Sequence, residues 1–246
     1  MKIETVVGLI VLIFLLNYYF PFNTIKTEYF YGKKRQTKSK VVLKLYQMLY
    51  DVTKLLKKHN VENWICGGTL LGAVRNKGLI PWDDDLDIEI IEEDIYKIKT
   101  DKFKKELKKK GYHMVKYRFG FKIFLRNGGK KINKYRWTYP YMDIFVSKIE
   151  GNSTKLVIDG GTPDYWKKCV FKKKDLYPLK KYKFGEYKVL GPNNPKGYLD
   201  GCYGKDWNEV KYQEWDHQKE EEKFKQKVPL NKRDRQPAQP TGPIKK

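Results

Sequence analysis

The residues with the clearest chemical potential are acidic and lie close together in the chain. Asp85, Asp87 and Glu89 alternate with apolar residues, so residues 86–90 are predicted to form a strand with these acids on one face. Like charges on neighbouring sites of one strand are unfavourable unless cations compensate them. Hard carboxylate oxygens favour Mg²⁺ or Mn²⁺ over zinc, so Asp85 and Asp87 predict a divalent-cation site. An acidic turn that is merely solvated is the alternative interpretation of so short a motif.

Two glycines precede this strand. Gly67, Gly68 and Thr69 join a predicted strand to the first turn of a predicted helix. Small residues there let backbone N–H groups approach a phosphate, and the helix dipole favours the anion. Arg75, about two turns along the same helix, could hold a second phosphate. Together with the acidic strand, this turn predicts metal-dependent transfer from a phosphate diester or anhydride.

A third acid lies in an otherwise apolar segment. Asp143 is flanked by Tyr141, Met142 and the run Ile144-Phe145-Val146, which predicts a buried strand. Burying a lone charge is costly, so this carboxylate needs a partner. If the strand pairs with residues 86–90, Asp143 joins the metal site or acts as a general base. Pairing with a lysine, or capping of a turn, is the alternative.

The remaining pattern places these residues on a mixed set of helices and strands. Apolar residues recur with helical spacing from Val41, and the helix is predicted to end near Asn60. Thr100 is predicted to cap and split a second helical region that starts at Glu92 and ends at Gly111. The other predicted elements are strands at 61–66, 113–118, 121–126 and 141–147, a hairpin at 182–190 and a short helix at 194–203.

The N-terminal segment is predicted to anchor the chain in a membrane. Thr5 to Phe22 has an uncharged core at Val6 to Leu16 and, at ~1.5 Å per residue, spans ~27 Å, enough for a thin bilayer. We therefore interpret residues 1–24 as an uncleaved single-pass anchor, with a cleaved signal peptide or a helix of a soluble protein as alternatives. Residues 25–40 form a basic linker, and the charged, Pro- and Gln-rich residues 218–246 are predicted to be disordered.

Composition limits the partners and the compartment. Lys plus Arg is 52 and Asp plus Glu is 29, giving a net charge of +23 that attracts anions. Lysine supplies most of the positive charge, so sequence-specific nucleic-acid recognition is not expected. Three cysteines exclude a disulfide scaffold and a four-cysteine zinc module, although a single Cys169–Cys202 bridge stays open for an oxidising lumen. The basic residues that follow the predicted anchor favour a cytoplasmic domain. The N-glycosylation tripeptide that begins at Asn152 would matter only in a lumen.

The segment GGTLLGAVRNKGLIPWDDDLDI, residues 67–88, closely resembles the signature of the LicD family, which includes the fukutin-related proteins. The resemblance extends over residues 41–217. It implies a nucleotidyltransferase-like fold of the α/β (α+β) class, in which helices flank a mixed sheet. It also implies transfer of a phosphorylated alcohol, such as phosphocholine or ribitol phosphate, from a CDP-linked donor to a glycan hydroxyl, and a Golgi or ER lumen location.

The resemblance assigns roles motif by motif. It implies a metal-binding pair of Asp85 and Asp87, with Asp143 as the third carboxylate and Asp83 as a further acidic position. It implies that Gly67, Gly68 and Thr69 face the donor phosphates, with Arg75 nearby. Many family members have histidine where this chain has Asn76. Relatives often carry a histidine where this chain has His217, for which a phosphate or acceptor contact and a surface position are both open.

Two other classes of function remain open from the residues. One is nucleotidyl transfer from an NTP to a nucleic acid or protein, since a metal-carboxylate strand also serves that chemistry. It predicts pyrophosphate release and salt-sensitive nucleic-acid binding. The other is a non-catalytic, membrane-tethered module, which predicts no stabilisation by Mn²⁺.

Overall fold

The computed structural model describes residues 36–211, 215–222 and 227–245. The predicted anchor, residues 1–24, and most of the basic linker lie outside the described residues. Among the residues that are described, no helix has the length and apolar character needed to cross a membrane.

The described chain alternates helices with strands. The helices are α1 Ser39–Lys58, α2 Gly67–Arg75, α3 Ile95–Lys99, α4 Asp101–Lys109, α5 Lys173–Leu176 and α6 Lys196–Tyr203. The first eight strands are β1 Asn63–Ile65, β2 Leu86–Ile91, β3 Tyr112–Tyr117, β4 Gly120–Leu125, β5 Lys130–Lys131, β6 Thr138–Tyr139, β7 Tyr141–Glu150 and β8 Ser153–Leu156. The others are β9 Lys180–Phe184, β10 Tyr187–Gly191, β11 Val210–Lys211, β12 Trp215–Asp216, β13 Glu221–Glu222 and β14 Val228–Pro229. Short 3₁₀ turns span Glu92–Asp94, Asp164–Trp166 and Arg233–Arg235.

The main sheet is mixed, as predicted. Its strands lie in the order β1-β2-β7-β4-β3, with β8 added to β7. β2 and β7 are parallel and place Asp87 opposite Asp143, while β4 runs antiparallel to β7 and places Lys122 opposite Asp143. Because cross-strand partners point to the same face, these three side chains form one row across the centre of the sheet.

Helix α1 covers the sheet with the apolar stripe that its sequence predicts. Val42, Leu45, Leu49, Val52 and Leu56 are all fully buried. They repeat at helical spacing, so a single face of the 20-residue helix supplies the contacts. The predicted internal cap is also confirmed, because the Thr100 hydroxyl accepts a hydrogen bond from the Phe103 N–H and separates α3 from α4.

Two features stabilise the C-terminal half. Strands β9 and β10 form the predicted hairpin, with Gly185 in its turn at a φ of +63°. Cys169 and Cys202 form a disulfide, with their Cα atoms 4.8 Å apart, that joins a loop to α6. Cys66 is a free, buried thiol.

The C-terminal segment differs from the predicted disordered tail. In residues 227–245, the Ala238 N–H donates to the Leu79 carbonyl, and the Asn76 side-chain amide donates to the carbonyls of Asp234 and Gln236. Ala238 and Ile244 are buried against the body of the protein. A Pro- and Gln-rich composition does not reveal these contacts, because they come from backbone groups and from only two buried apolar side chains.

Replacing Ile244 by alanine is therefore expected to lower the free energy of unfolding by about 2 kcal/mol, since this side chain is removed from water. Urea unfolding measures the change. The matched control is Thr241→Ala, an exposed position in the same segment, for which a change within about 0.5 kcal/mol is expected. Equal, negligible effects of both substitutions would show that the segment does not pack on the body in solution.

Candidate active site

Three acids predicted to act together meet at the start of two parallel strands. Asp85 precedes β2, Asp87 lies within it, and Asp143 lies beside Asp87 in β7. One carboxylate oxygen from each lies within 4.8 Å of the others. Asp85 and Asp143 are buried, whereas Asp87 is partly exposed. The tertiary structure thus assembles a set of hard oxygen donors at one point.

The electrostatics of this cluster favour a bound cation. Burial raises the pKa of the Asp85 and Asp87 carboxyls well above the usual range, and the neighbouring carboxylates raise both pKa values further. The buried Oδ1 of Asp143 accepts no hydrogen bond from the residues that the structure describes, although Lys122 Nζ lies 2.9 Å away as an ion-pair partner. Three converging carboxylates fit a divalent cation, which would compensate their charge.

His217 lies inside the site. Its Nδ1 is 2.6 Å from Asp84 Oδ1, and its Nε2 is 3.1 Å from Asp85 Oδ2. Burial lowers the pKa of His217, but the Asp85 and Asp84 carboxylates outweigh burial and raise this pKa to about 10. The imidazole therefore carries a positive charge at neutral pH and bridges two acids. Asp83, Asp84 and His217 form a second group whose ligand atoms lie within 4.8 Å of one another.

Lys122 is a site residue that the sequence patterns missed. Its ammonium lies 2.9 Å from Asp143 Oδ1 and 3.0 Å from Oδ2, and the residue is 4% exposed. Both interpretations of Asp143 are thus realised at once, because it joins the acidic cluster and pairs with a lysine. A lysine within the apolar run of β4 was the available signal, but its partner lies on another strand.

The glycine turn contacts the acids directly. The Gly68 N–H donates to Asp87 Oδ2 at 3.0 Å, and the Asp87 N–H donates to the Thr69 hydroxyl at 2.8 Å. The Gly67 N–H donates to the Tyr198 hydroxyl at 3.0 Å. A Cβ on Gly67 would lie 2.4 Å from Asp87 Oδ2, and one on Gly68 would lie 2.6 Å from Asp83 Oδ2. Small residues are thus required because carboxylates approach this turn, and contact with donor phosphates stays a prediction.

Arg75 makes contacts within the chain. Its Nη1 donates to the Trp207 carbonyl at 2.8 Å and to the Val210 carbonyl at 3.3 Å. Its guanidinium also lies 5.7 Å from the centre of the Trp82 ring. These contacts fasten residues 207–210 to the end of α2, and a contact with a donor phosphate stays a prediction.

The hairpin of β12 and β13 closes one side of the site. It carries His217 and also Glu220, which accepts hydrogen bonds from the indole N–H groups of Trp137 at 2.7 Å and Trp215 at 3.0 Å. Glu220 Oε1 lies 3.8 Å from Lys122 Nζ. The functional region therefore continues beyond residue 217, where the resemblance ended.

Glu89 shares the acidic face of β2 but stays outside the acidic cluster. It is buried and accepts a hydrogen bond from the Ser147 hydroxyl at 2.6 Å. Burial raises the pKa of Glu89 to about 7, whereas an unfolded glutamate titrates near about 4.3. The folded state therefore holds this proton more tightly than the unfolded chain does.

This shift predicts a pH-dependent stability for the metal-free protein. As pH rises from about 4.3 to about 7, Glu89 ionises first in the unfolded chain, so the free energy of unfolding falls by up to about 3 kcal/mol. Glu89→Gln keeps the side-chain volume and removes this contribution. Urea unfolding in EDTA at pH 5 and pH 7.5 measures the difference, and Glu186→Gln, at an exposed position, should keep the wild-type slope. An unchanged slope in Glu89→Gln would rule out this assignment.

The structure is thus a mixed α/β fold in which two parallel strands present an acidic cluster. Residues 60–194, more than half of the chain, match the family described as LicD/FKTN/FKRP, nucleotidyltransferase domain. The chain belongs to this family, and its broad class is therefore that of a transferase.

Individual relatives fall into two groups. The chain is 34% identical over 214 residues to the uncharacterized protein RP689 of Rickettsia prowazekii, which covers 82% of this chain and 72% of that protein. It is 50% identical over 34 residues to the lipopolysaccharide cholinephosphotransferase LicD of Haemophilus influenzae, 14% of this chain and 13% of that one. It is 46% identical over 44 residues to the human ribitol 5-phosphate transferase FKRP, 18% of this chain and 9% of that one. The relatives with named activities are thus matched over short segments.

Proposed function

We propose that this protein is a metal-dependent transferase, attached to a membrane by residues 1–24, that moves a phosphorylated alcohol from a CDP-linked donor to a glycan hydroxyl. One observation carries the proposal: Asp85, Asp87 and Asp143 converge within 4.8 Å in a chain of the LicD/FKTN/FKRP family. Matched relatives carry names that specify cholinephosphotransferase and ribitol 5-phosphate transferase activities.

The three converging carboxylates would hold Mg²⁺ or Mn²⁺, with Asp83 nearby. When bound, such an ion neutralises charge that develops on transferring phosphoryl oxygens. Asp87 is oriented by the Gly68 N–H, and Asp143 is oriented by Lys122. This positioning leaves the carboxylates aimed at one point before the substrate arrives.

The reaction follows from the donor and acceptor classes. The acceptor hydroxyl oxygen forms a bond to the phosphorus of the transferred group, and the bond from that phosphorus to the CMP oxygen breaks. The proton of the hydroxyl passes to a carboxylate of the cluster as general base. The positive charges of Lys122 and His217 offset the negative charge that gathers in the site.

The direct test uses the full chain purified in detergent with Mn²⁺. It is incubated with CDP-choline, CDP-ribitol, CDP-glycerol, GDP-mannose or an NTP, and release of CMP, GMP or pyrophosphate is followed. CMP release from a CDP-alcohol, absent in EDTA, is the expected result. Pyrophosphate release from an NTP would instead place the chain among nucleotidyltransferases. Silence with every donor and no thermal shift with Mn²⁺ would support a non-catalytic module.

A further inference from the structure

Three aromatic rings enclose the ammonium group of Lys122. Its Nζ lies 3.6 Å from the ring centre of Tyr141, 4.7 Å from that of Tyr117 and 5.0 Å from that of Trp137. We call Tyr117, Trp137 and Tyr141 the aromatic cage. Proteins use such cages to bind quaternary ammonium groups, including choline, through the negative faces of the rings. In this protein a side chain of the protein itself occupies the cage.

The aromatic cage adjoins the acidic cluster. Lys122 lies opposite Asp143 in the sheet, and its ammonium contacts both oxygens of that carboxylate at 2.9 and 3.0 Å. Asp143 in turn lies within 4.8 Å of Asp85 and Asp87. In a phosphocholine group only two carbons separate the phosphate oxygen from the ammonium. A phosphocholine held at the acidic cluster would therefore have its cation within reach of the region that Lys122 fills.

Lys122 is held firmly in this place. Its side chain is 5% exposed, and its charge is matched by Asp143 and, at 3.8 Å, by Glu220. Glu220 also accepts the indole hydrogen bond of Trp137, which fixes that wall of the aromatic cage. Moving the ammonium away would leave Asp143 buried without its partner, which is costly. A second cation would meet both a filled cage and a like charge.

We propose that Lys122 determines donor specificity by filling the aromatic cage, so that the transferred alcohol is an uncharged polyol phosphate and not phosphocholine. The proposal rests on the proposed function for its reaction, but the cage itself is defined independently by the residues above.

Two readouts on the full chain test this assignment. The first is CMP release by the wild type, for which CDP-ribitol or CDP-glycerol should exceed CDP-choline by at least about tenfold. The second is binding of choline chloride, followed by tryptophan fluorescence because Trp137 forms one wall of the cage. The wild type should not bind choline, whereas Lys122→Ala, which empties the cage, should bind it. Lys122→Met keeps the cage filled without the charge and should bind choline less well than Lys122→Ala.

The outcomes separate this proposal from the proposed function. CDP-choline turned over as fast as the CDP-polyols would overturn the specificity assignment and leave the transferase assignment intact. Equal choline binding by wild type and Lys122→Ala would also overturn it. If no CDP-alcohol is turned over, the proposed function fails, and choline binding alone decides whether Lys122 blocks the cage. Circular dichroism shows whether each variant is folded, and if neither is, the wild-type donor ratio decides.

Discussion

Asp87→Asn is expected to reduce the rate of CMP release by a factor of 10² to 10³, a loss of ~2.7–4 kcal/mol of transition-state stabilisation. The reason is the position of Asp87, which lies beside Asp143 in the sheet and within 4.8 Å of both other acids. Asparagine keeps the shape of the side chain but removes one of the three charges that would hold the cation. The measurement is the initial rate with the donor identified in the panel.

Stability provides a second readout for this variant. Without metal, Asp87→Asn should unfold at a temperature equal to or higher than the wild type, because burial, and then the like charges of Asp85 and Asp143, raise the pKa of Asp87. With Mn²⁺, the thermal stabilisation expected for the wild type should be absent in this variant. Asp159→Asn is the matched control, since its side chain is 68% exposed and pairs with Lys116. Near-wild-type turnover by Asp87→Asn would contradict the assignment of the acidic cluster.

Gly67→Ala is expected to lower the rate of CMP release by about 10²-fold, because even small misplacement of a reacting or binding group costs this much. A Cβ at this position would lie 2.4 Å from Asp87 Oδ2, so the carboxylate must move. The φ of +50° adds backbone strain of roughly 1 kcal/mol for a residue with a side chain. Initial rates and urea unfolding separate the two effects.

Gly111→Ala supplies the control for strain. Gly111 also has a positive φ, +89°, but a Cβ there would meet no atom within 4 Å. This variant should lose a comparable amount of stability and keep the wild-type rate. If Gly111→Ala slowed the reaction as much as Gly67→Ala, the effect would come from general destabilisation. If Gly67→Ala kept full activity, the close approach of Asp87 to the turn would not matter for the reaction.

Local patterns were sufficient for the elements that present the acids. The alternation around Asp85 and Asp87 predicted a strand, and the apolar run around Asp143 predicted another. The helical stripe of α1 was equally clear, because one buried face must repeat at the period of the helix. In each case neighbours in the chain determine the geometry, so a short segment contains the necessary information.

Local patterns did not predict the contacts between segments that are distant in the chain. Lys122, His217 and Glu220 reach the acidic cluster from β4 and from the hairpin of β12 and β13. A lone lysine, histidine or glutamate in a sequence is compatible with a solvated surface, and only the strand register and the path of the chain show which charge it meets. Amino-acid composition did not predict the packing of the C-terminal segment for the same reason, since its backbone hydrogen bonds have partners far away in the chain.

The glycine turn shows both contributions in one place. Two small residues at a strand-to-helix turn indicated that something must approach the backbone closely. The identity of that group depended on tertiary packing, which brings the carboxylates of Asp83 and Asp87 against the turn. Periodicity and residue type were thus sufficient to predict the helices and strands and the acidic residues of the sheet. The counter-charges, the filled aromatic cage and the packed tail required the fold, because each depends on atoms that only long-range strand pairing and chain reversal bring together.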